Sequence, residues 1–514
     1  MEHFVDEKTV MQFYLECMDR DEILFLQGKD DLKKDIKKSL EELIQESKMN
    51  NKIQIAVVLW KKLFEGAMSY LSPNKKGYDK IFKYFDSYVE FEELIFASDS
   101  FYRDHTLHCL WVYFLGEYLY RKPEFSELYR LDRETKESYK VIENLSENLH
   151  LVEGNDARVL KRVLKLADET KDLQDSQRCI AALTHDLGYP LKKIEKINKA
   201  MNKVLPYFAI NNFENFSFEY ENIQQEFVNQ FIDFISRQSE VNVTQKDDLS
   251  KEALSALTKA FSNTNYHGSE LNVLMEGLEA LPDKEKELLK GSFQVDVLFH
   301  APFSQKVSYY NDFEAYQHGI MSAFLLMKNL QAFQDIDYGR SDWLIPMPNA
   351  RILTLHDILA SISNHTSDSY QIEHIDENSF LTFVDELEEF SRISRASQNR
   401  EYVEEFCDTA LYMEDGWLNI VFEFNNTNLD NLDPEISFKG RCKRFLSLFD
   451  IANLDEYLKI RVTILGKLPT DQNEYVLEIA KNHADIRING ESKDIPKYLK
   501  STQFLTKEEY ARNV

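Results

Sequence analysis

Thr184-His185-Asp186-Leu187-Gly188-Tyr189-Pro190 closes an apolar helical run and stops it with a glycine and a proline. The His-Asp step offers a metal ion two unlike ligands from one point of the backbone. Imidazole nitrogen suits transition metals, and a carboxylate can bridge two ions. His-Asp alone is a common dipeptide. It gains weight because other histidines of this chain sit in comparable helical settings.

Outward from this stretch the texture is helical. Glycine (15) and proline (11) are scarce for 514 residues, which favours long helices over a turn-rich β architecture. Residues 1–95 form a helical N-terminal region. Asp31 to Leu40, with Leu43 and Ile44, places apolar positions three and four apart, and a second run, Ile53 to Leu71, ends at Ser72-Pro73-Asn74. Residues 96–400 stay helical, with apolar faces at Trp111–Leu115, Val159–Ala167 and Ile320–Leu326. Two segments, about 120–170 and 211–302, read as insertions; the first holds a charged run from Arg130 to Glu147, the second a polar section near Ser239 to Lys251. Beyond Arg400, Trp417–Phe424 and Lys459–Gly466 alternate as strands do, and Tyr475–Ile479 does so more weakly. Residues 401–514 therefore form a small α+β accessory domain. The fold class is mostly α.

Composition narrows the function. Hydrophobic residues are 43% and charged residues 29%, as in soluble globular proteins. No window approaches eighteen uncharged apolar residues, so no membrane span is expected. Met1–Glu7 has neither a basic nor an apolar signal region. Five scattered cysteines without CxxC spacing fit reduced thiols, and a cytoplasmic location is expected. A net charge of −27 opposes long nucleic acids, yet leaves room for a small phosphorylated substrate where metal ions reverse the local field.

Five positions carry the candidate chemistry. His105 and His108 lie three apart at the start of a helix. His185-Asp186 follows. His318 precedes small residues (Gly319, Ser322, Ala323) that allow another helix to approach closely. His356 stands inside an apolar helix, where burial without a partner is costly; it reads as a ligand or as a hydrogen-bonded core histidine. Asp385 follows four largely apolar residues and points inward, whereas Glu386, Glu388 and Glu389 read as solvated.

In this order the residues resemble the HD-domain metal-dependent phosphohydrolase superfamily, whose minimal pattern is H…HD…D. His105, His185, Asp186 and Asp385 match it, and His318 and His356 match the added histidines of two-metal members. His105-Thr106 looks like the opening H-[ST] helix, and His185 to Pro190 looks like the HDxG turn. The likeness covers residues 96–396. It departs from the compact family arrangement in the long separations from His105 to His185 and from Asp186 to His318. His365 competes with His356 for one place. Gly188-Tyr189-Pro190 serves only to end a helix and turn the chain.

The resemblance implies a helical HD core and two divalent ions (Mn, Fe, Co, Ni, Zn or Mg) sharing Asp186. His105, His185 and Asp385 would hold one ion, His318 and His356 the other. It also implies His108 as a proton donor and Lys192, with Lys193, on substrate phosphate; a solvated helix face is the alternative for the lysines. The expected substrate is a small nucleotide: a deoxynucleoside triphosphate first, a cyclic mono- or dinucleotide second. A nucleotide regulator and a homo-oligomer are further expectations from the resemblance. A catalytically silent nucleotide sensor or scaffold, and an HD nuclease, are the competing classes.

Overall fold

The computed structural model describes residues 3–73, 78–96, 101–128, 143, 145, 147, 150–209, 222–262, 277–334, 349–395, 403–405, 407–429 and 432–493. The charged run from Arg130 to Glu147 lies largely outside them. Helices dominate. α1 (Glu7–Asp19), α2 (Asp30–Gln45), α3 (Met49–Leu71) and α4 (Tyr78–Phe96) form the N-terminal layer. The periodicity read from the sequence is why they pack: α2 buries Ile36, Ser39, Leu40 and Leu43 and leaves its lysines and acids in water. On α3, Trp60 stacks between Phe64 and Phe85, with ring centroids 5.0 and 4.0 Å away.

Strand β1 (Phe101–Arg103) leads into α5 (His105–Arg121), followed by α6 (Gly154–Lys171), α7 (Gln174–Thr184) and α8 (Tyr189–Val204). Asp104 caps α5 by accepting the N–H groups of Thr106 and Leu107 at 3.1 Å. Buried ion pairs hold α5 against α7: Arg178 to Glu117 at 2.7 Å and Arg121 to Asp175 at 2.6 Å. The N-terminal layer grips the His185-Asp186 turn directly. Trp60 Nε1 donates to the Leu183 carbonyl at 2.7 Å, and the Tyr84 hydroxyl donates to the Leu187 carbonyl at 2.5 Å.

Next come α9 (Asn222–Ile235), β2 (Gln238–Gln245), α10 (Lys251–Ser262), β3 (Phe293–His300), α11 (Phe303–Glu314), α12 (His318–Asn329), α13 (Ala350–Asn364) and α14 (Glu377–Leu387). Here the structure departs from the sequence reading. The polar stretch at Ser239 is an antiparallel strand, because Val241 and Val243 face Val297 and Val295 across the β2–β3 pair. That cross-strand pairing is set by residues some fifty positions away in the chain, on the order of ten times the usual hairpin spacing. Together with α6 and α10, β3 encloses a second apolar core built on Leu160, Leu257, Ala260, Phe293 and Val295, separate from the main one. Parts of the segments 120–170 and 211–302 thus pack on each other.

The remaining elements are β4 (Arg392–Arg395), β5 (Val403–Glu405), β6 (Asp408–Glu414), β7 (Trp417–Phe424), α15 (Pro434–Leu448), β8 (Ile460–Gly466), β9 (Glu474–Ala480), β10 (His483–Ile488) and β11 (Glu491–Lys493). The strands β6 to β11 make one sheet, in order β11-β10-β9-β8-β7-β6. Every pair in it is antiparallel except β7–β8, and α15 makes that parallel crossover. The mostly-α body with a C-terminal α+β region is thus the observed architecture. α15 reaches the main body through Arg444, which pairs with Glu386 at 2.6 Å, and Arg441, which donates to the Glu386 carbonyl at 2.8 Å. No helix among the described residues is long and apolar enough to cross a membrane.

Candidate metal centre

Four histidines and two aspartates meet where α5, the α7–α8 turn, α12, the end of α13 and α14 converge. Donor atoms of His108, His185 and Asp186 lie within 4.8 Å of one another, as do those of His185, His365 and Asp385, and those of Asp186, His318 and His365. The two oxygens of Asp186 face different rings. Oδ2 is 3.4 Å from His185 Nε2 and 3.6 Å from His108 Nε2. Oδ1 is 3.2 Å from His318 Nε2 and 3.7 Å from His365 Nε2. The Nε2 atoms of His108 and His185 are 3.3 Å apart, and Asp385 Oδ1 is 2.8 Å from His108 Nε2. Two ligands each ~2.1 Å from one ion at tetrahedral or right angles are separated by roughly 3.0–3.4 Å, so this donor set is spaced for coordination.

Glycines make that convergence possible. A Cβ on Gly188 would sit 2.3 Å from the His318 carbonyl, and one on Gly319 would sit 2.4 Å from the Ile362 carbonyl. Backbones therefore touch where His318 and His365 must arrive. Ser322 ties the contact: its hydroxyl accepts the Gly188 N–H at 2.7 Å and lies 2.5 Å from the His185 carbonyl.

Outer hydrogen bonds fix the rings. His185 Nδ1 donates to the Ala182 carbonyl at 2.7 Å, and His365 Nδ1 to the Ile362 carbonyl at 2.6 Å. A carbonyl can only accept, so each ring keeps its proton there and turns an Nε2 lone pair to the cluster. His365 Nε2 is buried with no hydrogen-bond partner among the described residues, which fits a metal ligand. His108 Nδ1 lies 2.5 Å from Glu388 Oε2, and Ser391 donates to the same oxygen at 2.6 Å. Such a carboxylate–imidazole contact orients and strengthens a ligand. The cluster thus fits a metal ion.

Burial pulls His185 down to about 4. Burial opposes ionisation of Asp186, yet His185 and His318 outweigh it and hold the carboxyl well below its usual range. For His108, burial and Arg103 depress the pKa, but Asp385 and Glu388 override them and push it up to about 9. In metal-free protein, the His108 contribution to stability should be fully present below its unfolded value near pH 6.5 and lost as pH rises through 9. The stability difference between wild type and His108→Gln, measured by chemical denaturation in chelator, should shrink over that window; a difference that grows from pH 6.5 to 9 contradicts this.

The sequence-derived residues divide. His185, Asp186, His318 and Asp385 stand in the cluster. His108, expected as a proton donor, stands among the donors themselves. His105, expected as a ligand, turns aside: its Nδ1 bonds Glu92 Oε2 at 2.8 Å and its ring packs 4.0 Å from that of Tyr189. His356 is not in the cluster either; its Nδ1 lies 3.0 Å from Asp357, and His365 comes to the cluster instead. Lys192 contacts the Ala315 carbonyl at 3.3 Å in an exposed position. Glu388 and Glu389, expected in solvent, are buried, because α14 ends at Leu387 and the chain turns inward. Arg103, Glu92 and Glu388 carried no sequence signal. Arg103 donates to the Glu388 carbonyl at 2.9 Å and stands 3.5 Å from Asp385 Oδ1.

No protein-family model, no curated protein and no solved structure matches this chain.

Metal content should separate the paired histidines. His108→Ala and His365→Ala should each lower bound metal about tenfold or more. His105→Phe and His356→Phe should leave it within a factor of two. Equal losses across the four variants, by elemental analysis, would reject this ligand set.

Proposed function

We propose that the protein is a two-metal phosphohydrolase acting on a small nucleotide, with a deoxynucleoside triphosphate as first choice. One observation supports this most: the two oxygens of Asp186 face separate imidazole groups, the disposition of a bridging carboxylate. His108, His185, Asp186 and Asp385 would hold one ion, and Asp186, His318 and His365 the other. Such ions supply a nucleophile at neutral pH and neutralise charge on phosphoryl oxygens. The chain's own part is to fix the His185 and His365 rings through the Ala182 and Ile362 carbonyls. Arg103, beside Asp385, adds a fixed positive charge to a site rich in carboxylates, and would favour an anionic substrate.

The test is a phosphate-release screen over deoxynucleoside triphosphates, ribonucleoside triphosphates and cyclic nucleotides, with Mn or Mg. Turnover of a deoxynucleoside triphosphate at 10⁴ M⁻¹s⁻¹ or so in kcat/KM is expected. Metal binding without turnover on any of them would reject hydrolysis in favour of a sensor. Turnover of a cyclic nucleotide alone would reassign the substrate.

A further inference from the structure

A cavity of about 850 Å³ lies between α6, the end of α9, the β2–β3 pair, α13 and the start of α14. None of the metal-centre donors lines it. The volume suits a small organic molecule. Leu166, Val241, Val297 and Leu353 give the lining an apolar part.

Three carboxylates of the lining stand together. Asp376 and Glu377 are neighbours at the start of α14, and Asp357 on α13 is close enough to act on Glu377. Burial first, then Asp376 and Asp357, push the Glu377 carboxyl up to about 7. These groups are not sealed off: the Asp357 and Asp376 side chains are 33% and 29% exposed, and Glu377 is partly exposed. Glu373, exposed, is a fourth carboxylate of the lining.

The positive groups do not balance them. Arg237, in the lining, pairs with Asp233, outside it, at 2.8 Å. Arg178 attracts Glu377 but is taken by Glu117 at 2.7 Å and Asp175 at 2.6 Å. The lining also holds three imidazoles. His356 lies 3.0 Å from Asp357, His374 lies 3.4 Å from Asp376, and His300 is the third. An imidazole adds charge only when protonated, and its ordinary range lies below about pH 8. Even a protonated His374 offsets only Asp376. Among the described residues no lysine or arginine pairs with Glu377, Asp357, Asp376 or Glu373. A net negative, half-enclosed space favours a cation.

The form of the cation follows from the walls. An ammonium group has three donors and no acceptor, which suits a ring of carboxylates. Phe234 and Tyr370 add aromatic faces that attract cations, and the valines and leucines accept a hydrocarbon body. We infer that the cavity binds a small primary amine with an apolar body, its ammonium set among Glu377, Asp376 and Asp357, at a place distinct from the metal centre.

The experiment is titration calorimetry of the full chain in chelator, at about pH 8 and about 0.15 M salt. The probes are phenethylamine, hexylamine, 2-phenylethanol and phenylacetate. At least one amine should bind with a Kd below ~1 mM, with the neutral alcohol and the anion at least tenfold weaker. Glu377→Gln and Asp357→Asn, each with its helical signal intact, should weaken that binding about fivefold or more. Glu491→Gln, on the exposed strand β11, should leave it unchanged. Neither amine bound below ~1 mM, or the alcohol bound as tightly as phenethylamine, overturns the inference. So does full affinity in both cavity variants. A loss in Glu491→Gln equal to that in Glu377→Gln also overturns it, since attraction by overall charge then accounts for the binding.

Discussion

Asp186→Asn should remove bound metal and lower kcat/KM on the substrate found in the screen by at least ~10³, equivalent to about 4 kcal/mol of transition-state stabilisation. The size of the effect follows from position. Asp186 Oδ1 faces His318 and His365, and Oδ2 faces His185 and His108. An amide keeps the shape but offers one neutral oxygen, so it can serve only one side and brings no charge. The helical signal should persist, because the turn is held by Trp60 and Tyr84 through backbone carbonyls that the substitution leaves untouched. Elemental analysis and phosphate release measure the two losses independently. Wild-type metal content together with wild-type turnover would remove Asp186 from the chemistry altogether.

Gly319→Ala should destabilise the protein by about 3 kcal/mol and cost metal affinity as well. The new methyl would meet the Ile362 carbonyl at 2.4 Å, Thr366 Oγ1 at 2.7 Å and His365 Nδ1 at 2.8 Å. Two of these are parts that cannot swing away: a backbone oxygen and a ring already tied to that oxygen. α12 and α13 must separate, and His318 and His365 move apart with them. Gly440, inside α15, is the control, since a Cβ there meets nothing within 4 Å. Gly440→Ala should raise stability by up to ~1 kcal/mol through helix propensity alone. Equal melting temperatures for the two variants would contradict the close approach at Gly319.

Much of the fold was legible because its causes are local. The runs that became α2 and α3 showed their periodicity, and Ser72-Pro73 marked the end of α3. Trp417–Phe424 alternated and is β7; Lys459–Gly466 alternated and became β8, one residue shorter. What escaped were pairings between distant segments. β2 looks polar on its own and becomes a strand because β3 supplies the matching valines. Glu388 looks like one more solvated acid of a charged helix. It is buried because the helix ends one residue earlier and the next turn folds over His108.

The sequence by itself determined a helix-dominated chain, an alternating C-terminal sheet, and a His-Asp step at a helix end with further histidines available to join it. It also limited the choice on α13: His356 and His365 are nine positions apart, about two and a half turns, so they point to opposite sides. Which side looks toward Asp186 was decided only by tertiary packing, through the contact that Gly319 permits between α12 and α13. The same holds for His105 and His108, one turn apart on α5, where Glu92 draws one ring away and Glu388 fixes the other at the cluster. Helical periodicity is a property of neighbouring residues, whereas the direction of the core is a property of whatever packs against them.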